Sequence, residues 1–169
     1  MSSTLYVDSL IEKTSGNGVH IPGHVIQVVN LVNTTANAAN TTADYPVASG
    51  FKLSITPSST SSKILVLFDI HAWLDSGGLD NKIGKYGIRL NSQSNIIVSH
   101  KRIGVMATGA TNIDHGTQVM LTYLDSPNST SAQEYELVLG RWSSYYDNNV
   151  KINGGGFGHS NITIMEIAQ

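Results

Sequence analysis

"KILVLFDIHAW", Lys63 to Trp73, decides the fold class of this chain. Read as a strand, it carries two stripes, because successive side chains of a strand point to opposite faces. Ile64, Val66, Phe68, Ile70 and Ala72 make one stripe; Leu65, Leu67, Asp69, His71 and Trp73 make the other. A strand with one wet face is polar on that face. This one is apolar on both faces over its first half, which predicts cover on both. A second sheet supplies one cover. A neighbouring subunit, or a long loop of the same chain, supplies the other.

The same signal repeats on both sides of this stretch. "HVIQVVNLV" (His24 to Val32) is rich in β-branched residues, and "FKLSIT" (Phe51 to Thr56) alternates Phe51, Leu53 and Ile55 against Lys52, Ser54 and Thr56. Further strands are predicted in "KYGIRLN" from Lys85, "SNIIVSH" from Ser94, "TQVMLTYL" from Thr117, "AQEYELVLGRW" from Ala132 and "SNITIMEIA" from Ser160. Turn chemistry separates them: "PSSTSS" at Pro57, "DSGG" at Asp75, "TGATN" at Thr108, "DSPNSTS" at Asp125 and "NGGGFG" at Asn153. The low-complexity run "NTTANAANTTAD" (Asn33 to Asp44) reads as a long surface loop. No stretch sustains a helical period with caps. Many short strands without helices predict an all-β antiparallel sandwich, and about eight of them suit a jelly roll. The chain divides into a leader, residues 1–23, and a head domain, residues 24–169.

The chain of 169 residues is long enough for one domain with a core. Apolar residues make up 40% and charged residues 13%, about half the usual charged share of about 25%. Ser, Thr, Asn and Gly fill the difference. So neutral a surface suits packing into an assembly, and equally suits contact with glycans. The formal net charge of −2 and the scattered Lys and Arg point away from nucleic acid. No apolar run approaches the roughly 20 residues that span a bilayer, so no membrane insertion is expected. No signal peptide is visible. The absence of cysteine excludes disulfides and thiolate metal sites. Four Asn-x-Ser/Thr triplets, at Asn33, Asn40, Asn128 and Asn161, are the number chance provides in a chain this rich in those residues.

Catalytic signatures are not found. There is no GxSxG elbow, P-loop, HExxH or GxGxxG, and the acidic residues sit in no recognisable glycosidase pattern. The expectation is a protein that is not an enzyme and needs no cofactor. His20 and His24 are four apart, but Pro22-Gly23 between them forbids a shared helical face. On the axis of a trimer, one such histidine per chain would make a three-His metal set; hydrogen-bonded structural roles are the simpler reading. One loop, "GRWSSYYDNN" from Gly140, gathers Arg141, Trp142, Tyr145, Tyr146, Asp147 and Asn148. Rings that stack on sugars and groups that bond hydroxyls make this a candidate glycan-contact set. An aromatic cluster at a strand end or subunit interface accounts for it as well. "WLDSGGLDN" from Trp73 is a weaker candidate of the same kind.

Three stretches together carry a resemblance: "LYVDSLIEKTSGNGVHIPGHVIQVV", "ITPSSTSSKILVLFDI" and "NITIMEIAQ". The pattern resembles the small fibre and appendage proteins of tailed bacteriophages, especially those of marine bacteria. In those proteins a short leader precedes a trimeric jelly roll like that of tumour-necrosis-factor and complement C1q-like proteins. The resemblance implies a homotrimeric virion structural protein, made in the bacterial host cytoplasm and carried on the phage particle as a tail fibre, tail tip or capsid-surface fibre. It implies that the leader contacts other virion proteins, or winds with its copies, through Leu5, Val7, Leu10, Ile11, Val19 and Ile21, with "GNG" and "IPG" as hinges. It also allows a head that meets host-surface glycans. This chain departs from the family in lacking a long repetitive shaft. The rival readings are a lectin-like carbohydrate-binding module using the 140–149 loop, and a glycan depolymerase, which the missing catalytic motif and solenoid argue against.

Overall fold

The computed structural model describes residues 7–9, 11, 21–36, 39–75, 81–91, 96–106, 114–143, 149–156 and 158–169. Among them the chain forms strands β1 (Val25–Asn33), β2 (Ala39–Thr41), β3 (Val47–Ile55), β4 (Lys63–Asp75), β5 (Asn81–Leu90), β6 (Ile96–Met106), β7 (His115–Asp125), β8 (Gln133–Arg141), β9 (Asn149–Ile152) and β10 (Ser160–Ile167). The helical element among the described residues is a single 3-10 turn at Gly154–Gly156.

All strand pairs within the two sheets are antiparallel. One sheet runs β3-β8-β5-β6. The other is built on β4, which pairs with β7 along one edge, and on its other edge with β10 over Lys63–Asp69 and with β9 over Ala72–Asp75. Beyond these lie β1, against β10, and β2, against β9. The sheets face each other as a sandwich, the all-β jelly-roll arrangement that the strand pattern predicts.

The two stripes of β4 meet different fates. Ile64, Val66, Phe68, Ile70, Ala72 and Leu74 are all fully buried between the sheets. There they join Tyr86, Ile88, Leu121, Tyr135, Leu137, Leu139, Ile162 and Ile164, and Phe51 meets Phe68 edge to face at 6.2 Å. The opposite stripe, from Leu65 to Trp73, is half-buried. Its far end is covered by the chain's own glycines. A β-carbon on Gly116 would lie 2.5 Å from Cε3 of Trp73, and one on Gly155 would lie 2.7 Å from its Cη2. Gly154 also lies against Trp73, and Gly158 against the imidazole of His71. The glycine cluster at Asn153 is thus the turn into the last strand that was expected, and it also caps Trp73 and His71. The near end, Leu65 and Leu67, has no such layer over it among the described residues.

The low-complexity run is not loop throughout. Ala39–Thr41 form β2, paired with β9 from Ala39↔Ile152 to Thr41↔Val150. Neither strand is long or apolar enough to show a period. "SNIIVSH" marks only the start of β6, which continues to Met106.

The three stretches that carry the family resemblance meet at one buried carboxylate. Glu166, on β10, is fully buried. Gln27, from the first stretch, donates Nε2 to Glu166 Oε2 at 2.6 Å and to the carbonyl of Thr56 at 2.7 Å. Ser58, from the second, donates its backbone N–H at 2.8 Å and its hydroxyl at 2.7 Å to Glu166 Oε1. The polar turn between β3 and β4 is therefore pinned from beneath. The "IPG" stretch is fixed at the same end. His24 N–H donates to Ile21 O at 2.9 Å, Gly23 N–H to Ala168 O at 2.8 Å, and Ala168 N–H to His24 O at 2.9 Å. Gly23 has φ +83° after Pro22, the positive φ that position i+2 of a Pro-Gly turn requires. Three bonds across it make "IPG" a closed turn rather than a hinge.

Candidate functional site

Two outward surfaces stand apart from the core. The first is the outer face of the β1-β10-β4-β7 sheet. Register places Val28, Met165, Leu65 and Leu124 directly abreast across the four strands. Val28 is 54% exposed and Leu124 51%. The next row is Asn30, Thr163, Leu67 and Thr122; the one after it is Val32, Asn161, Asp69 and Met120. Neighbouring groups already bond the polar atoms here. Asn30 Nδ2 donates to Thr163 Oγ1 at 2.9 Å, and Gln118 Nε2 donates to Asp69 Oδ1 at 2.6 Å. The result is a nearly uncharged face with an unbroken apolar row across it.

The second surface is the outer face of the other sheet, near the end of β8. Trp142 follows β8 and donates its N–H to Ile83 O at 3.0 Å, so the pairing with β5 continues past the strand. The next row inward is Gly140, Lys85 and Arg102, abreast on β8, β5 and β6. Lys85 Nζ lies 3.8 Å from the centre of the Trp142 ring and 5.3 Å from that of Tyr45. Arg102 Cζ lies 4.7 Å from the Trp142 ring centre. Tyr45 reaches this place because Gly140 has no side chain: a β-carbon there would fall 2.5 Å from Tyr45 Cα. Burial pushes the Tyr45 hydroxyl up to about 12.

Two other cations among the described residues of this face are paired. Lys52 meets Glu134 at 3.1 Å, and Arg89 meets the buried Glu136 at 2.5 Å. The backbone N–H of Gly50, in the bulge of β3, also donates to Glu136 at 2.9 Å. Neither Lys85 nor Arg102 takes part in an ion pair among the described residues.

Of the predicted contact set, Arg141 and Trp142 are described. Neighbouring residues of a strand face opposite ways, and Arg141 turns to Asp44, 3.5 Å away. Tyr145, Tyr146, Asp147 and Asn148 lie outside the described residues. So do Leu5, Leu10 and Val19 of the leader, and His20. Val7, Ile11 and Ile21 are exposed, at 55%, 84% and 48%. Trp73, from the weaker candidate loop, lies under Gly116, Gly154 and Gly155, and Asp75 pairs with Lys151. No cluster of three or more potential metal ligands occurs among the described residues, and none of their helices is long and apolar enough to cross a membrane.

Lys85 and Arg102 were not singled out from the sequence. The alternation of "KYGIRLN" aims Lys85 outward once Tyr86 is placed in the core. Nothing in the sequence sets β6 beside β5 with Arg102 opposite Lys85.

No family model matches the sequence, and no curated protein matches it. Among solved structures, the chain is similar to one from the native virion of Kashmir bee virus at acidic pH, at 10% identity and a TM-score of 0.22, over 99% of this chain and 82% of that one. It is similar likewise to one from the full particle of Israeli acute paralysis virus heated to 63 degrees, at 10% identity and a TM-score of 0.21, over 98% and 83%.

Proposed function

We propose that this chain is a non-enzymatic virion structural protein, a homotrimeric jelly-roll appendage of a bacteriophage particle. The observation that carries this reading is the apolar row Val28–Met165–Leu65–Leu124 on an outer sheet face that carries almost no charge. A monomer gains nothing from keeping such a face wet, since large exposed apolar patches mark contact surfaces. Copies of the chain are the occupants that suit it. Asp69 is the one charge in the three rows and is bonded by Gln118, and Asn30 bonds Asn161 and Thr163, so the face offers little to a partner of opposite sign. The exposed apolar residues of the leader, Val7, Ile11 and Ile21, suit a segment that packs only in an assembly or against another virion protein. The resemblance of three stretches to phage appendage proteins supplies the kind of assembly: a tail fibre, tail tip or capsid-surface fibre.

Light scattering after size exclusion tests this. The expected native mass is three times the chain's 18.1 kDa. A stable monomer would overturn the reading and put a lectin-like carbohydrate-binding module first, since the Trp142 surface does not depend on a trimer. On the virion, deletion of residues 1–23 is expected to abolish incorporation of the head.

A further inference from the structure

The predicted glycan-contact set treats Trp142 as a platform for a sugar face. The geometry points to a different use. The ring already has Lys85 at 3.8 Å and Arg102 at 4.7 Å from its centre. A sugar stacking on a ring face that a cation occupies would have to displace it. Each cation is drawn to the aromatic face by the negative charge over the ring. Two like charges brought to one ring repel each other, and among the described residues no carboxylate pairs with either one. This contrasts with Lys52 and Arg89 on the same face, each of which has its acid. Trp142 and Tyr45 hold the ammonium, Trp142 holds the guanidinium, and among the described residues no anion meets either.

We infer that the Lys85–Arg102–Trp142 cluster is a binding site for an acidic polysaccharide, with the two cations receiving its carboxylate or sulfate groups and Trp142 positioning them. The inference rests on the reading of the head as a surface that meets host glycans, and it supplies the class of glycan. A guanidinium and an ammonium side by side suit an anionic group with several acceptor oxygens. A neutral sugar would leave both charges without their counterpart. The chain's net charge of −2 disfavours long-range attraction of polyanions, so binding here depends on this local pair.

The test is binding of the full chain to polygalacturonate, dextran sulfate and unmodified dextran, followed by calorimetry or biolayer interferometry. Binding to one or both acidic polymers and none to dextran is expected. Whichever acidic polymer binds identifies the anion as carboxylate or sulfate. Combined Lys85→Met and Arg102→Gln should weaken binding by about tenfold or more, as two charge-assisted contacts are lost. Lys52→Gln removes the same kind of charge from the same face, but one already paired, and should change it little. Trp142→Ala should weaken binding too, by freeing the cations. Dextran bound as well as the acidic polymers, equal loss in the Lys52 variant, no binding at all, or single-stranded DNA bound as tightly would each overturn the inference. Native mass measured on the same samples separates the two readings. A trimer that binds no acidic polymer removes this inference alone; a monomer that binds one removes the appendage and leaves this site standing.

Discussion

A β-carbon added to Gly116 would fall 2.5 Å from Cε3 of Trp73 and 3.2 Å from Nε2 of His71. The glycine on β7 is therefore the floor on which two large side chains of β4 rest, while Gly154 and Gly155 close over the same indole. Gly116→Ala forces a rigid ring to move between strands that are both hydrogen-bonded. Overpacking of this kind costs about 1–3 kcal/mol. Urea unfolding followed by tryptophan fluorescence should show a lowered midpoint and a changed native spectrum. An unchanged midpoint would mean that the Trp73 ring is free to slide.

Leu124 stands at one end of the apolar row, 51% exposed. Leu124→Lys places a charge where the proposed contact is dry, and it leaves the fold of a single chain alone because the side chain already meets water. The expected result is a monomer by light scattering with an unchanged far-ultraviolet circular dichroism spectrum. A trimer that survives this change at micromolar concentration would move the contact to another face.

The outer charges of the β3-β8-β5-β6 sheet are predicted to differ sharply in weight. Glu136 is 3% exposed and receives both Nε and Nη2 of Arg89, at 2.8 and 2.5 Å. Arg89→Met strands a buried carboxylate with the Gly50 N–H alone, a loss of about 3–5 kcal/mol. Lys52 and Glu134 are both partly exposed, so Lys52→Met should cost under about 1 kcal/mol. Thermal unfolding of the two variants gives the comparison. Equal losses would show that Glu136 is better hydrated than its surroundings imply.

These contrasts mark where sequence reading stops. The alternation in Lys63–Trp73 was enough to place Ile64, Val66, Phe68 and Ile70 in the core, because a period of two is local and survives any strand order. It was also enough to show that Leu65 and Leu67 need an explanation. β2 and β9 were not legible: three and four residues are too short to carry a period, and β9 owes its strand form to β4 on one side and β2 on the other, as β2 owes its own to β9. The Trp142 surface was half legible. Its aromatic residue stood out in the loop, but Lys85 and Arg102 come from other strands, and long-range register is not written in any short stretch. Arg141 is adjacent to Trp142 in sequence, and adjacent residues on a strand face opposite ways.

Glu166 ties three separated stretches of the chain together through Gln27 and Ser58. Burial works to raise its pKa. The bonds it accepts outweigh that and hold the carboxyl below its usual value. Ser62 contributes from a position short of full hydrogen-bond geometry; Ser58 and Gln27 bond it directly. A carboxyl whose folded pKa is depressed adds stability that is fully present above its unfolded pKa. That stability is lost as pH falls through the folded value. Stability should therefore hold from neutral pH down to the ordinary carboxylate range and decline below it, and part of that decline should vanish in Glu166→Gln. The same variant should lose about 1.5–3 kcal/mol at neutral pH, the range for hydrogen bonds to a charged group, because Gln cannot accept from every donor at once. Unfolding curves between neutral and acid pH for both proteins decide it. Parallel declines would place the acid sensitivity elsewhere and reduce the meeting of Gln27, Ser58 and Glu166 to a contact without energetic weight.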